Sequence, residues 1–526
     1  MADPYDSPAE TEKMAASDSD KSSVESVPGP AAVTALDLEK TTSRHTNRTT
    51  RSARSIPQTA QDWDGEDDPD DPRNWPLASK IYHVLVPALQ CFTITFGSSV
   101  YTPSVPEVSR HFGVSQTAAL VPLTVYVLGL GLGPIVSAPI SETYGRRAVY
   151  LLFFPPSLLV RLLPGLVVLD YPCVPLERVL PETVLLNFSS NISADLLEQK
   201  MTLGAGLSKT YASFVICRLL AGVLGSGCLA VGAGTNGDLF VHLQRAVASA
   251  LFLAAPFLGP ALGPALGGYL AMKKGWRWTQ WIILFWGALA YAVSLPQKET
   301  YKKIILQNRA KKLGLAPPPN PLPPAMSKFR FILIVTLMRP LRMLFTESIV
   351  AFFSIYTAFN FSVLFAFFAA FPIVFESPLP EIQVYHFNTG EEGLTFLGIG
   401  LGVVIATGLF ILINSLVYKK KTLKRQAQGD FSPLAPEERL YGAMIGSFLL
   451  PIGLFWFAWT ARADVHWISP ILATIPFAIG NMLVFGSCVL YLIDTYGPLA
   501  GASAAAANGF LRYCIGAVFP LFTVQM

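Results

Sequence analysis

Apolar residues in this chain come in long unbroken runs rather than at every second or every third to fourth position. Eleven runs can be read, near residues 81–101, 118–138, 148–169, 211–231, 247–270, 278–295, 348–371, 394–417, 440–459, 468–492 and 503–523. Each is close to the ~20 residues that a helix needs to cross a hydrocarbon layer ~30 Å thick. Lipid offers no hydrogen-bond partner to the backbone, so such runs are predicted to be helices. The fold class read from this pattern is all-α and polytopic, with about eleven spans. Most connections are short, but two are longer, at 296–342 and 418–439. The first of them separates six spans from five.

Composition agrees with the pattern. Of 526 residues, 52% are hydrophobic and only 14% are charged, against about 25% charged in soluble chains. That argues against an ordinary soluble enzyme and against a disordered or disulfide-built protein. Five of the six cysteines lie in apolar runs and no Cys-x-x-Cys pair exists, so neither a metal nor a redox site is expected.

Charge adds a direction. The first 80 residues hold 16 acids and 9 bases, with few aromatics, and are expected to be a disordered tail lacking an apolar signal segment. The domain reading is a tail over 1–79, a first membrane half over 80–295, a basic loop over 296–342 and a second half over 343–526. The central loop carries ten bases and one acid, Glu299; Lys419, Lys420, Lys421, Lys424 and Arg425 mark the 418–439 loop. Glu376, Glu381, Glu391 and Glu392 lie on the opposite side. The positive-inside rule then puts the N-terminus and the central loop in the cytosol of a multi-pass membrane protein, most simply in the plasma membrane. Lys273, Lys274 and Arg277 disagree with that assignment. The basic excess is read as topology, so no nucleic-acid partner is expected.

Three motifs carry candidate chemistry. After the second run comes Ser141-Glu142-Thr143-Tyr144-Gly145-Arg146-Arg147. Gly145 permits a tight turn, and Glu142 is expected to pair with an arginine or a helix end. In the fourth run, Arg218-x-x-x-Gly222 places a guanidinium within apolar surroundings, at a cost of ~2.5 kcal/mol or more, so Arg218 should face a cavity or a partner. The alternative is an arginine that snorkels to the interface. In the fifth run, Gly259-Pro260-Ala-Leu-Gly263-Pro264-Ala-Leu-Gly267-Gly268 sets glycines four apart on one face. Such a face lets another helix approach closely, and the prolines bend the helix.

Taken together, these motifs resemble those of the major facilitator superfamily, whose fold has two six-helix halves. The fifth run matches the family's antiporter motif at every fixed position. The Gly-Arg-Arg loop resembles the family's loop motif but departs from it at three fixed positions, with Ala138 for glycine, Glu142 for aspartate and Thr143 for a basic residue. The segments Asp68–Pro76, Glu299-Thr300-Tyr301 and Tyr491–Gly497 narrow the likeness to fungal drug:proton antiporters, over roughly 62–526. The resemblance implies proton-coupled efflux of drugs, polyamines or secondary metabolites by a monomer in the lipid bilayer, with no catalytic residue, cofactor or metal. It further implies a conformational latch (Glu142, Gly145, Arg146, Arg147), an antiporter motif at Gly259, Pro260, Gly263, Pro264, Gly267 and Gly268, and a role for Arg218 and Gly222 in the substrate or proton pathway.

Asn360, Glu347, Asp494 and Arg512 are further candidates for the pathway, because they are the polar residues in or beside later spans. Glu347 and Asp494 suit ordinary helix-end charges equally well. Residues 156–201 match nothing in the family pattern and are read as a retained intron or a gene-model insertion. The expected twelfth helix is missing after 523. The alternatives are an importer or facilitator, and a membrane protein that does not transport.

Overall fold

The computed structural model describes residues 62–152, 211–240, 242–315, 338–376, 384–430, 432, 434–523 and 525. The expected insertion at 156–201 and the first 61 residues lie outside them. Among the described residues, nine helices are long and apolar enough to cross a membrane, against eleven expected. The shortfall has two sources. Of the third run, only its first turns are described, as a helix over Arg146–Leu152. The sixth is a helix, Trp276–Ser294, whose early turns carry Arg277, Thr279 and Gln280, and these dilute its apolar run.

In chain order, α1 is Leu77–Ser99, α2 Val105–Phe112, α3 Gln116–Tyr144 and α4 Arg146–Leu152. The fourth span is α5 (Tyr211–Gly225) and α6 (Gly227–Leu239), interrupted at Ser226. Then come α7 (His242–Lys274), α8 (Trp276–Ser294) and α9 (Lys302–Leu313). The later helices are α10 (Arg339–Thr346), α11 (Ser348–Phe371), α12 (Thr389–Thr395), α13 (Leu397–Ile413), α14 (Lys420–Ala427), α15 (Tyr441–Thr460) and α16 (Ile468–Phe522). α16 holds the last two spans, hinged at Gly497, whose φ of 70° is left-handed and suits glycine alone.

Small residues set the spacing of the helices. A side chain on Gly222 would meet the Tyr126 carbonyl of α3, and one on Gly129 would sit 2.6 Å from the Leu219 carbonyl of α5. The pair lets α3 and α5 touch backbone to backbone, as expected where lipid removes the hydrophobic reward for bulky packing. Aromatic rings fill the other half of the core. Phe365, Phe368, Phe371 and Phe396 are all fully buried.

The segment before α1 is ordered by charge. Arg309 of α9 donates to both oxygens of Asp68, at 2.9 and 2.8 Å. It also reaches Asp64 at 3.2 Å and Asp70 at 2.7 Å. Asp68 is buried. Burial works against its charge, yet the Arg309 contact and two backbone N–H groups hold its carboxyl below the usual range. His83 ties the same region down. Its Nδ1–H donates to the Ser79 carbonyl at 2.7 Å and its Nε2 accepts from the Lys298 N–H at 3.0 Å. A carbonyl only accepts and an amide only donates, so these partners fix the neutral tautomer.

Candidate functional site

The two ends of the helical bundle carry different chemistry. At the Arg146 end, α3 finishes at Gly145, whose φ of 100° demands glycine. The next two backbone N–H groups, of Arg146 and Arg147, donate to the two oxygens of Glu299 at 2.9 and 3.1 Å. A carboxylate therefore sits on the N-terminus of α4, where the helix dipole favours it. The Arg146 side chain turns the other way. Its Nε donates to Asp238 at 3.1 Å and its Nη1 to the Ser141 hydroxyl at 2.5 Å, while its plane lies 4.7 Å from the centre of the Tyr301 ring. Burial opposes the charge on Arg146, but Asp238 outweighs it and raises the guanidinium above its ordinary value.

The second half repeats the device. Arg439 donates from Nε to Asp494 at 2.8 Å and from Nη1 to Asn414 at 3.2 Å, with its guanidinium 3.6 Å from the Tyr418 ring centre. Arg245, at the start of α7, lies in the combined field of Asp238, Asp494 and Arg439. The pairs Arg146–Asp238 and Arg439–Asp494 thus lie at the same end of the molecule, near Arg245.

The opposite end, marked by Glu107, is held by backbone contact. Gly259, Gly263 and Gly267 of α7 face α1: added side chains would strike Thr95 and Phe96, Ser99 and Val100, and the Val100 carbonyl respectively. The Ser99 hydroxyl donates to the Gly259 carbonyl at 3.2 Å. Gly268 looks toward the second half, against Thr389 and Gly390 of α12, and Gly393 lies against the Pro264 carbonyl. Pro260 and Pro264 stand inside α7. The glycine-proline run therefore seats one helix against two neighbours, one in each half. A cavity of about 670 Å³ opens beside this contact, lined by Glu107, Arg110, His111, Lys273, Arg277 and Glu376 among others.

The remaining candidates fall in three settings. Arg218 is buried: it donates to the carbonyl of Gly97 at 2.9 Å and lies between the rings of Tyr101 and Tyr126, at 5.1 and 4.5 Å. The guanidinium holds α1, α3 and α5 together from within, and it does not snorkel. Asn360 is buried in α11, and its carbonyl accepts from the Asn481 side chain at 2.8 Å. Arg512 is buried among Phe361, Phe485 and Tyr513. Glu347 is exposed at the start of α11 and accepts from the Tyr496 hydroxyl at 3.2 Å.

One expectation, the pairing of Glu142, needs revision. Glu142 is exposed, and neither Arg146 nor Arg147 forms an ion pair with it among the described residues. Glu299 takes the two backbone amides and Asp238 the Arg146 side chain. Asp494 stands in an ion pair with Arg439 and joins the charged end.

Sequence reasoning missed Asp238, Glu299, Arg439 and Arg245. A signal existed for the first: Asp238 is the only acid between Glu198 and Glu299. Arg439 was hidden by the denser run of bases at 419–425.

The family model described as Major Facilitator Superfamily matches residues 199–520. Polyamine transporter 4 of Saccharomyces cerevisiae is 38% identical over 488 residues, covering 88% of this chain and 67% of that protein.

The chain belongs to the major facilitator superfamily.

Efflux pump FUBT of Fusarium oxysporum is 36% identical over 469 residues, covering 87% of this chain and 70% of that pump. The fold agrees as well. The xylose transporter XylE of E. coli, in a partially occluded inward open conformation, superposes with a TM-score of 0.54 at 15% identity, covering 85% of this chain and 92% of XylE. As a member of this superfamily the chain is a multi-pass membrane transporter and not an enzyme.

Proposed function

We propose that the chain exports small organic molecules across the plasma membrane in exchange for protons, acting as a monomer with its N-terminus in the cytosol. The observation that supports export is the seat of the glycine-proline run. Gly259, Gly263 and Gly267 bring α7 against α1, and Gly268 brings it against Thr389 and Gly390 of the other half. A helix packed that tightly on both sides moves as one lever when the halves rock. The name of one relative, an efflux pump, points the same way. On this reading the Arg146 end faces the cytosol and the charge pairs there form the latch, with Arg218 and Gly222 fixing the helices that line the pathway. Asn360, Glu347, Asp494 and Arg512 remain the candidates for substrate or proton handling.

The test is expression in yeast that lacks its own pumps, scored for resistance to a drug panel and to spermine, with and without an uncoupler. The expected result is raised resistance, removed by the uncoupler, to one or more of the panel compounds, with spermine separating a polyamine exporter from an exporter of other small molecules. Resistance that survives the uncoupler would refute proton coupling, and accumulation of labelled compound inside the cells would refute export.

A further inference from the structure

Two arginines lie in the membrane-embedded core, and they are built differently. Arg218 spends its charge on the protein: its donors reach the carbonyls of Gly97 and Pro122, and two tyrosine rings cover its faces. Arg512 has no carbonyl partner among the described contacts, and its polar neighbour is the Tyr513 hydroxyl. It is 9% exposed, and its Nε–H has no hydrogen-bond acceptor. The rings of Phe485, Tyr513 and Phe361 stand 4.2, 4.7 and 4.8 Å from its guanidinium carbon. The ionisable group in its field is the Tyr513 phenol; no carboxylate contributes among the described residues.

The position is a junction between the halves. Phe257 of α7 packs on Phe485 and Phe361, with ring centres 5.3 and 6.3 Å apart. Gly131 of α3 is so close to Tyr513 that a side chain there would come within 3.1 Å of its Cβ. Transporters of this architecture place their substrate sites between the two halves, near the bilayer midplane. An intramembrane guanidinium needs hydrogen-bond acceptors, because cation–π contacts do not satisfy its N–H donors, and the Nε–H of Arg512 has none.

We propose that Arg512 is the substrate-recognition cation of this transporter, and that the substrate class is a small aromatic carboxylate. The guanidinium fork matches a carboxylate with two parallel N–H···O bonds. Phe257, Phe361, Phe485 and Tyr513 supply flat apolar walls for the ring. One arginine suits one negative charge. The same cation repels a polyamine, which would need carboxylates in place of Arg512. This deepens the export reading and rests on it for direction, but not for binding.

The test uses the purified full chain in nanodiscs with 1-naphthoate, its neutral isostere 1-naphthamide, and spermidine as probes, followed by thermal shift and equilibrium binding without any gradient. Wild type is expected to bind naphthoate at least tenfold tighter than naphthamide, with no spermidine binding. Arg512→Gln should erase the preference while keeping weak binding of both naphthyl probes, and Arg512→Lys should keep part of it. Equal binding of naphthoate and naphthamide by wild type would overturn the proposal even if Arg512→Gln fails to fold. So would tight spermidine binding, or a preference that survives Arg512→Gln. A carboxylate preference without gradient-driven flux in proteoliposomes would refute export and leave the site standing.

Discussion

The Arg146 end and the Glu107 end of this bundle each set a carboxylate on a helix N-terminus, Glu299 on α4 and Glu107 on α8, but they differ in what else holds them. At the first, two half-buried ion pairs do the holding, with Arg146–Asp238 in one half and Arg439–Asp494 in the other. At the second, glycines let backbones meet, and no ion pair crosses from α7 to α12 among the described contacts. Charge pairs can part and find water as new partners, with a modest net change. Backbone contact through glycine is either present or blocked. The charged end is thus suited to graded control and the glycine end to a steric stop.

The sharpest way to break that contrast is to add volume at the glycine end. Gly268→Leu drives a side chain into Thr389 and Gly390 and should cost about 3 kcal/mol, roughly a hundredfold in the closed population. A cysteine placed at Thr389 would then react with an impermeant maleimide far faster. Labelling at the unaltered rate would show that the contact does not close this end.

Next comes loss of charge. Arg439→Gln leaves the half-buried Asp494 without its partner and should destabilise by about 2 kcal/mol, with Arg146→Gln somewhat milder. The difference follows exposure: the Arg439 and Asp494 side chains are 6% and 15% exposed, against 16% and 21% for Arg146 and Asp238. Thermal unfolding in detergent orders the two. A double variant checks whether Arg245 joins the pairs. Coupling of about 0.5 kcal/mol or more is expected if the end acts as one unit, and simple additivity would separate it into two independent locks.

Removing the cap should do less. Glu299→Gln keeps the shape and loses the charge over the α4 N-terminus, at about 1 kcal/mol. The effect should not depend on whether Asp494 is intact.

The smallest expected effect is on pH. The Asp68 carboxyl is held below its ordinary value in the folded chain. Its pairing with Arg309 therefore contributes stability above the unfolded value of about 3.9, and that contribution is lost as pH falls through the lower folded value. Acidification below about 4 should loosen the segment before α1. Asp68→Asn should remove that part of the acid transition, seen as earlier proteolysis near residue 62 that no longer varies with pH.

Much of the fold was legible because its determinants are local. A run of about 20 apolar residues must be a helix in lipid, whatever its neighbours are. Gly145 could be read as a turn, and Gly259, Gly263 and Gly267 as a packing face, since four-residue spacing fixes a helix side without tertiary knowledge. The sixth span was legible as a helix, although Arg277 and Gln280 weaken its apolar character. The partners were not legible. Arg146 sits 92 residues from Asp238 and 153 from Glu299, and nearness in sequence pointed wrongly to Glu142.

The sequence by itself determined that the chain is a helical membrane transporter of the major facilitator superfamily, and which residue types stand at its turns and helix faces. Only the tertiary structure decided what each charge does. Arg218 and Arg512 read alike in sequence, as arginines in apolar runs. One is held by backbone carbonyls of the first half, and the other lies among the rings of Phe361, Phe485 and Tyr513. The physical reason is that helix formation in lipid depends on neighbours a few residues away, whereas the use of a buried charge depends on acceptors brought to it by other helices.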